Sequence, residues 1–532
     1  MGDVNEVMSM VTLGLLGLFL VFIVLGAFWG MIRGVKRSTL RLITIIIALT
    51  LALLMTPLVS KAFVTMELPG AGNTASGLIN EQLVKNDLGA EIAGEAPEIV
   101  KIIEGLAIAI LNLIVFFLMY FLLKFLSWIV YAVLAPIVAP KYVKRSSAEI
   151  RARSPRIKNK RYRLAGAGVG IVTGFVFFAF FMIPFTGVMQ GLDEVASHNP
   201  KFGNMTNAQR TNIKNRDDCS TANLINIQDD IRDVNNQLQG SIFGKITKFS
   251  GVQAFGQMGF TYLTRVDKNI NLRDDLVTGG KVTMDALAIG IEFSRDGSLG
   301  SKIQTWEDRD YKTVENMIDR IFSIGIVRTA FQYVAADENG EGGLVNALRN
   351  DGALDKPLGD ISEDPDFIDA GYDLISYFTS YTKLSEDLKG VLNIARILYS
   401  GETTFVSEFQ SVFKNFNKPE ELDTARLLTR MGCYDDENSD IRKLTNAIFK
   451  LNLIEIIFSN DGFVALYREP LAKELNIEEG KENLKLWANG FDADNVSRDV
   501  ARIMVRLVSV LEDLSYIVNS DKEINHVLAD IN

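Results

Sequence analysis

The sequence predicts an all-α protein: a four-helix transmembrane domain followed by a large extracytoplasmic helical domain. Three observations carry that expectation. Four apolar runs lie within the first 190 of 532 residues. Each is long enough to cross roughly 30 Å of hydrocarbon at about 1.5 Å per helical residue. Charge divides at the same place: residues 1–190 carry 18 Lys/Arg and 10 Asp/Glu, a net of +8, and the rest carry 37 and 55, a net of −18. Beyond residue 190, apolar residues recur at three- and four-residue spacing, and alternating strand patterns are scarce.

The first span is expected at about 10–33 and the second at about 40–59. Between them, in a short loop at 33–41, stand Arg33, Lys36, Arg37 and Arg41 with no acid. Such a cluster is retained in the cytoplasm. The opening MGDVNEV holds Asp3 and Glu6 and no base, so the positive charge follows the apolar run instead of preceding it. That is the pattern of a retained first span with its N-terminus outside, not of a cleaved signal peptide. Glu6 also stands where N-myristoylation at Gly2 needs Ser or Thr.

Gly26, Gly30 and Gly34 are spaced by four, and the spacing returns at Gly166, Gly170 and Gly174. On a helix such a set leaves a strip without side chains, where a second backbone can approach closely. Both ladders are therefore expected to be helix-packing surfaces, within the chain or between subunits.

The loop 60–100 is acidic on balance and reads as external, with a turn-forming LPGAGNTASG and room for a short amphipathic helix from Leu78. The third span, at about 105–135, contains Asn112 and Lys124. An ionisable group at depth is a functional candidate. The alternative is that Lys124 snorkels to the cytoplasmic face, beside the interfacial pair Trp128 and Tyr131. The loop 141–163, KYVKRSSAEIRARSPRIKNKRYR, has ten bases and one acid. It is the strongest orientation signal in the chain. Its Lys144, Arg145, Arg151 and Arg153, like the bases at 33–41, can also bind anionic headgroups. The fourth span runs from about 164 to 189, with a kink expected at Pro184. The alternation places both termini, and all of residues 191–532, outside the cytoplasm.

In that second domain, helices are expected at 230–237, 282–293, 313–333, 374–398, 422–431, 441–458 and 500–518, with acidic or Gly-containing turns between them, a pattern that hints at stacked helical hairpins. The two cysteines, Cys219 and Cys433, both lie there. An oxidising compartment would permit one disulfide between them; two buried or free thiols are the alternative.

The basic GxxRGxxR turn at Gly30–Arg37 and the glycine ladder opening span four, in FWGMIRGVKRSTLRLITIIIALTLAL and RLAGAGVGIVTGFVFFAFF, resemble the colicin V production protein family, CvpA. The resemblance covers about the first 190 residues. It implies a bacterial inner-membrane protein tied to envelope physiology and, by the family's name, to toxin export. The long external loop and the large C-terminal part depart from the short family form.

Catalytic signatures are weak. His198 and His526 are the only histidines, and neither accompanies a GxSxG elbow, so no Ser-His-Asp triad is expected. Gly280-Lys281 lacks the first glycine of a phosphate loop. Asp492–Asn495 starts like a calcium loop but has Ser497 and Ile503 where glycine and glutamate belong. CxxC pairs and Cys/His clusters are missing, so neither a metal nor a cofactor is expected. The acidic second domain disfavours nucleic acid. The expected role is a non-enzymatic scaffold or accessory factor in a bacterial cytoplasmic membrane. Its expected partners are the lipid bilayer and either further copies of itself or other envelope membrane proteins. An oligomeric channel or transporter component is the alternative, and a membrane-anchored hydrolase the least favoured.

Overall fold

A computed structural model of the chain describes residues 2–65, 97–138, 157–200, 202, 211, 220–266, 269–294, 303–334, 343–353, 355–359, 361, 365–401, 403–464 and 492–519. Among these residues regular structure is helical; the one β feature is an isolated antiparallel bridge between Arg265 and Asn271. Four helices contain stretches long and apolar enough to cross a membrane: Val7–Arg33, Val35–Ala62, Ala107–Leu134 and Arg163–Phe181. Most of the acidic loop, including its segment from Leu78, lies outside the described residues, as do Lys144, Arg145, Arg151, Arg153, Cys219 and His526.

The connection expected at 33–41 is a single residue. Gly34, with φ +70°, separates the helix Gly2–Arg33 from the helix Val35–Thr65. A left-handed backbone is open to glycine without a Cβ penalty. Ser38 braces the turn by donating its hydroxyl to the Gly30 carbonyl at 3.3 Å. Lys36, Arg37 and Arg41 thus belong to the first turns of span two, not to a loop. Span four also differs from expectation. Its helix stops at Phe181, Met182 breaks it, and Ile183–Ala196 begins anew with Pro184 in the first turn. A missing N–H there removes no helical hydrogen bond.

The chain forms two compact units. The first comprises Met1–Asn199, Asn223–Met284 and Ile324–Thr329. It is larger than the expected 1–190, because Phe260 and Leu263, from the helix Val252–Leu263, join Leu49 of span two and Phe116 of span three in one core. Within this unit span four packs against spans one and two, and span two against span three.

The second unit comprises Pro200–Ala222, Asp285–Ser323 and Ala330–Asn532. Its core gathers Phe405, Leu427, Met431, Ile441, Leu444, Val508 and their neighbours. The long helix Ala493–Asn519 packs against Asp440–Phe449. Three stretches expected as single helices are each two. The breaks fall at Ile324, at Ser380 and at Lys450–Leu451.

Candidate functional site

The two glycine ladders meet in the first unit. A methyl group added at Gly30 would lie 2.8 Å from the Cα of Gly170 and would collide with the Gly166 carbonyl oxygen. One at Gly26 would lie 3.1 Å from the Cα of Gly174, and one at Gly166 would lie 2.9 Å from the Cα of Gly34. The partners of Phe22, Gly26 and Gly30 are Gly174, Gly170 and Gly166 in turn, so spans one and four run antiparallel with their backbones in contact. A helix without side chains on one strip permits that approach, and dispersion between the backbones then holds the pair. Gly34 takes part as the turn residue rather than as a third helical step.

Beside this seam three cations converge. Arg33 ends span one, Arg41 lies early in span two, and Lys124 comes from span three. All three line a cavity of about 200 Å³ whose other walls include Phe22, Leu25, Gly170 and Phe177. The same three, with Ile45, line an adjoining cavity of about 280 Å³ that reaches Trp128 and Tyr131. The Lys124 ammonium stands 4.0 Å from the Phe177 ring centre and 5.8 Å from that of Tyr120. The Arg33 guanidinium stands 4.9 Å from the Trp29 ring and 6.0 Å from Tyr131. Ring faces carry negative potential and partly offset the loss of hydration. Among the described residues no carboxylate forms an ion pair with Arg33, Arg41 or Lys124. Sequence reasoning named each cation but not their convergence, since span three is brought to spans one and two by packing alone.

Asn112 is used differently. It is buried, and its Nδ2 donates to the Leu263 carbonyl at 2.8 Å. That carbonyl belongs to the last turn of Val252–Leu263, where a helix leaves acceptors open. The polar residue in span three therefore ties a later helix to the bundle. The same helix packs on Ile183–Ala196 through glycines that sequence reasoning passed over. A methyl at Gly259 would meet Ile183 at 2.9 Å, and one at Gly256 would meet Thr186 at 2.8 Å. The spacing of Gly187 with Gly191, and of Gly256 with Gly259, was the signal available.

The remaining candidates resolve into structure. Gly280 and Lys281 sit inside the helix Leu272–Ser294, where a methyl at Gly280 would press on Val195 at 2.6 Å. Asp492 accepts from the backbone N–H groups of Asp494 and Asn495 at 3.0 and 3.3 Å, capping the helix that follows. Cys433 is exposed, and the cysteine expected to pair with it, Cys219, lies outside the described residues. Among the described residues no group of three or more His, Cys, Asp or Glu side chains is placed to hold a metal ion.

No family model, no curated protein and no solved structure matches the chain.

Proposed function

We propose that this chain is a multi-pass membrane scaffold: a non-enzymatic accessory factor of the bacterial envelope, of the CvpA kind, that holds its large helical unit on the extracytoplasmic side. The packing of the bundle carries this reading. Ile45, Leu49, Ala52, Phe116, Tyr120 and Phe180 fill the space among spans two, three and four with packed side chains. Spans one and four are fastened by a backbone seam. Such a bundle is suited to anchoring and presenting a second unit. The bases flanking spans one and two, and those at 141–163, support the orientation.

Two measurements test it. With Cys219 replaced by Ser, Cys433 is the sole thiol and an exposed reporter. A membrane-impermeant maleimide should label it in cells stripped to the cytoplasmic membrane. Labelling only after lysis would put the second unit on the other side. Isolation of the full chain from its native membrane in mild detergent should bring stoichiometric membrane partners. A pure homo-oligomer that conducts ions in planar bilayers would replace the scaffold with a channel component.

A further inference from the structure

We propose that the cleft formed by Arg33, Arg41 and Lys124 binds the headgroup of an anionic phospholipid. Three positive charges share one small space whose walls are mostly apolar. Like charges held together at low dielectric repel, and each loses hydration that ring faces restore only in part. A counter-anion relieves both costs. Among the described residues no carboxylate pairs with any of the three, which leaves their charge open to an external anion.

The surroundings specify the class of anion. The cations lie between helices of membrane-spanning length and composition, so the molecules that reach them most readily are lipids. Guanidinium groups match phosphate oxygens in a fork geometry, and an ammonium adds a point charge. Phe22, Leu25, Ile45 and Phe177 offer apolar surface beside the charges, as an acyl chain requires and a free inorganic ion does not. Trp128, 60% exposed, lies at the edge of the second cavity, where an amphipathic ring meets the headgroup layer. Basic pockets between spanning helices are a known form of headgroup site in general. Such a site is independent of the scaffold reading and serves a scaffold or a channel component equally.

The test uses the purified full chain in a neutral detergent, titrated with phosphatidylglycerol, with phosphatidylcholine or with inorganic phosphate, and bound molecules are counted by native mass spectrometry. Phosphatidylglycerol should be retained and phosphatidylcholine should not. Lys124→Gln should weaken retention about fivefold, the effect of one base near a headgroup, and the Arg41→Gln, Lys124→Gln pair by about twenty- to thirtyfold. Lys61→Gln, on the same helix as Arg41 but outside the cleft, should leave retention unchanged. Lys124 stands outside the turn that sets orientation, so its variant separates binding from topology. Lys124→Arg should restore binding, which distinguishes lost charge from lost folding. Equal retention of the two lipids, or wild-type retention in the double variant, would overturn the proposal. Binding of inorganic phosphate that displaces phosphatidylglycerol would reassign the cleft to a small anion and overturn the lipid assignment.

Discussion

Along residues 26–34 and 166–174 spans one and four touch through glycine, with aromatic contacts such as Phe19 on Phe178 beyond the ladder; the helices of the second unit touch through large side chains throughout. At Gly26, Gly30, Gly166 and Gly170 the contact is backbone on backbone. Around Leu427, Met431, Ile441 and Leu444 it is interlocked hydrocarbon. The difference follows from the solvent each region is built for. A leucine moved from lipid to a helix interface gains little, because lipid tails are as apolar as leucine, so close approach must hold the pair. A leucine moved out of water gains about 25 cal/mol for each Å² buried. Polar groups divide in the same way. The bundle spends Asn112 on one carbonyl. The second unit builds a network in which buried Arg442 donates to Ser497, which also meets Thr445.

The sharpest way to break the contrast is to give the seam a side chain. Gly170→Leu places a branched group against the backbone of Gly26 and Gly30. The expected loss is about 3 kcal/mol or more, seen as a lower melting temperature in detergent or loss of the monodisperse species. Unchanged melting in this variant and in Gly30→Leu would mean that spans one and four do not pack along the ladders.

A smaller effect is expected from the second unit's own fastening. Asp387 is buried and accepts from the Tyr377 hydroxyl at 2.7 Å and from the backbone N–H groups of Asn452 and Leu453 at 2.7 and 2.8 Å. It caps the helix Asn452–Ser459 from 65 residues away in sequence. Burial, and then the carboxylate beside it, push the Tyr377 hydroxyl above its ordinary pKa, so it remains a donor. Asp387→Ala should cost about 2–3 kcal/mol, since it leaves buried donors unpaired. Chemical denaturation monitored at the second unit checks this, and a loss below about 0.5 kcal/mol would show that water replaces the carboxylate.

The smallest effect is one of pH. Glu512 accepts from the backbone N–H of Thr424 at 2.9 Å and from its hydroxyl at 2.7 Å. These bonds lower the carboxyl below its ordinary 4.5. A depressed folded pKa contributes stability above the unfolded value, and that stability is lost as pH falls through the folded one. The second unit should therefore weaken as pH drops below about 4.5, and Glu512→Gln should show a shallower acid dependence than the parent. An identical acid profile in the variant would assign the loss to other carboxylates.

Much of this architecture is legible in the chain itself. Apolar length determines the four candidate spans, because no short side chain pattern can substitute for roughly 20 apolar residues in hydrocarbon. Four-residue glycine spacing marks both faces of the seam, because 3.6 residues per turn brings every fourth residue back to nearly the same side. Three- and four-residue periodicity marks the helices of the second unit. Tertiary structure decides where those helices stop. The apolar stripe continues through Ile324 and through Lys450–Leu451, yet the chain turns at both places. At the first, Asp275 accepts the N–H groups of Gly325 and Ile326 at 2.7 and 3.1 Å; at the second, Asp387 does the same for Asn452 and Leu453. A cap supplied from 50 or more residues away leaves no mark beside the helix that it starts. The cationic cleft has the same origin. Arg33 and Arg41 are neighbours in sequence, but Lys124 joins them only because span three packs against span two, and periodicity along one helix carries no record of which helix will lie beside it.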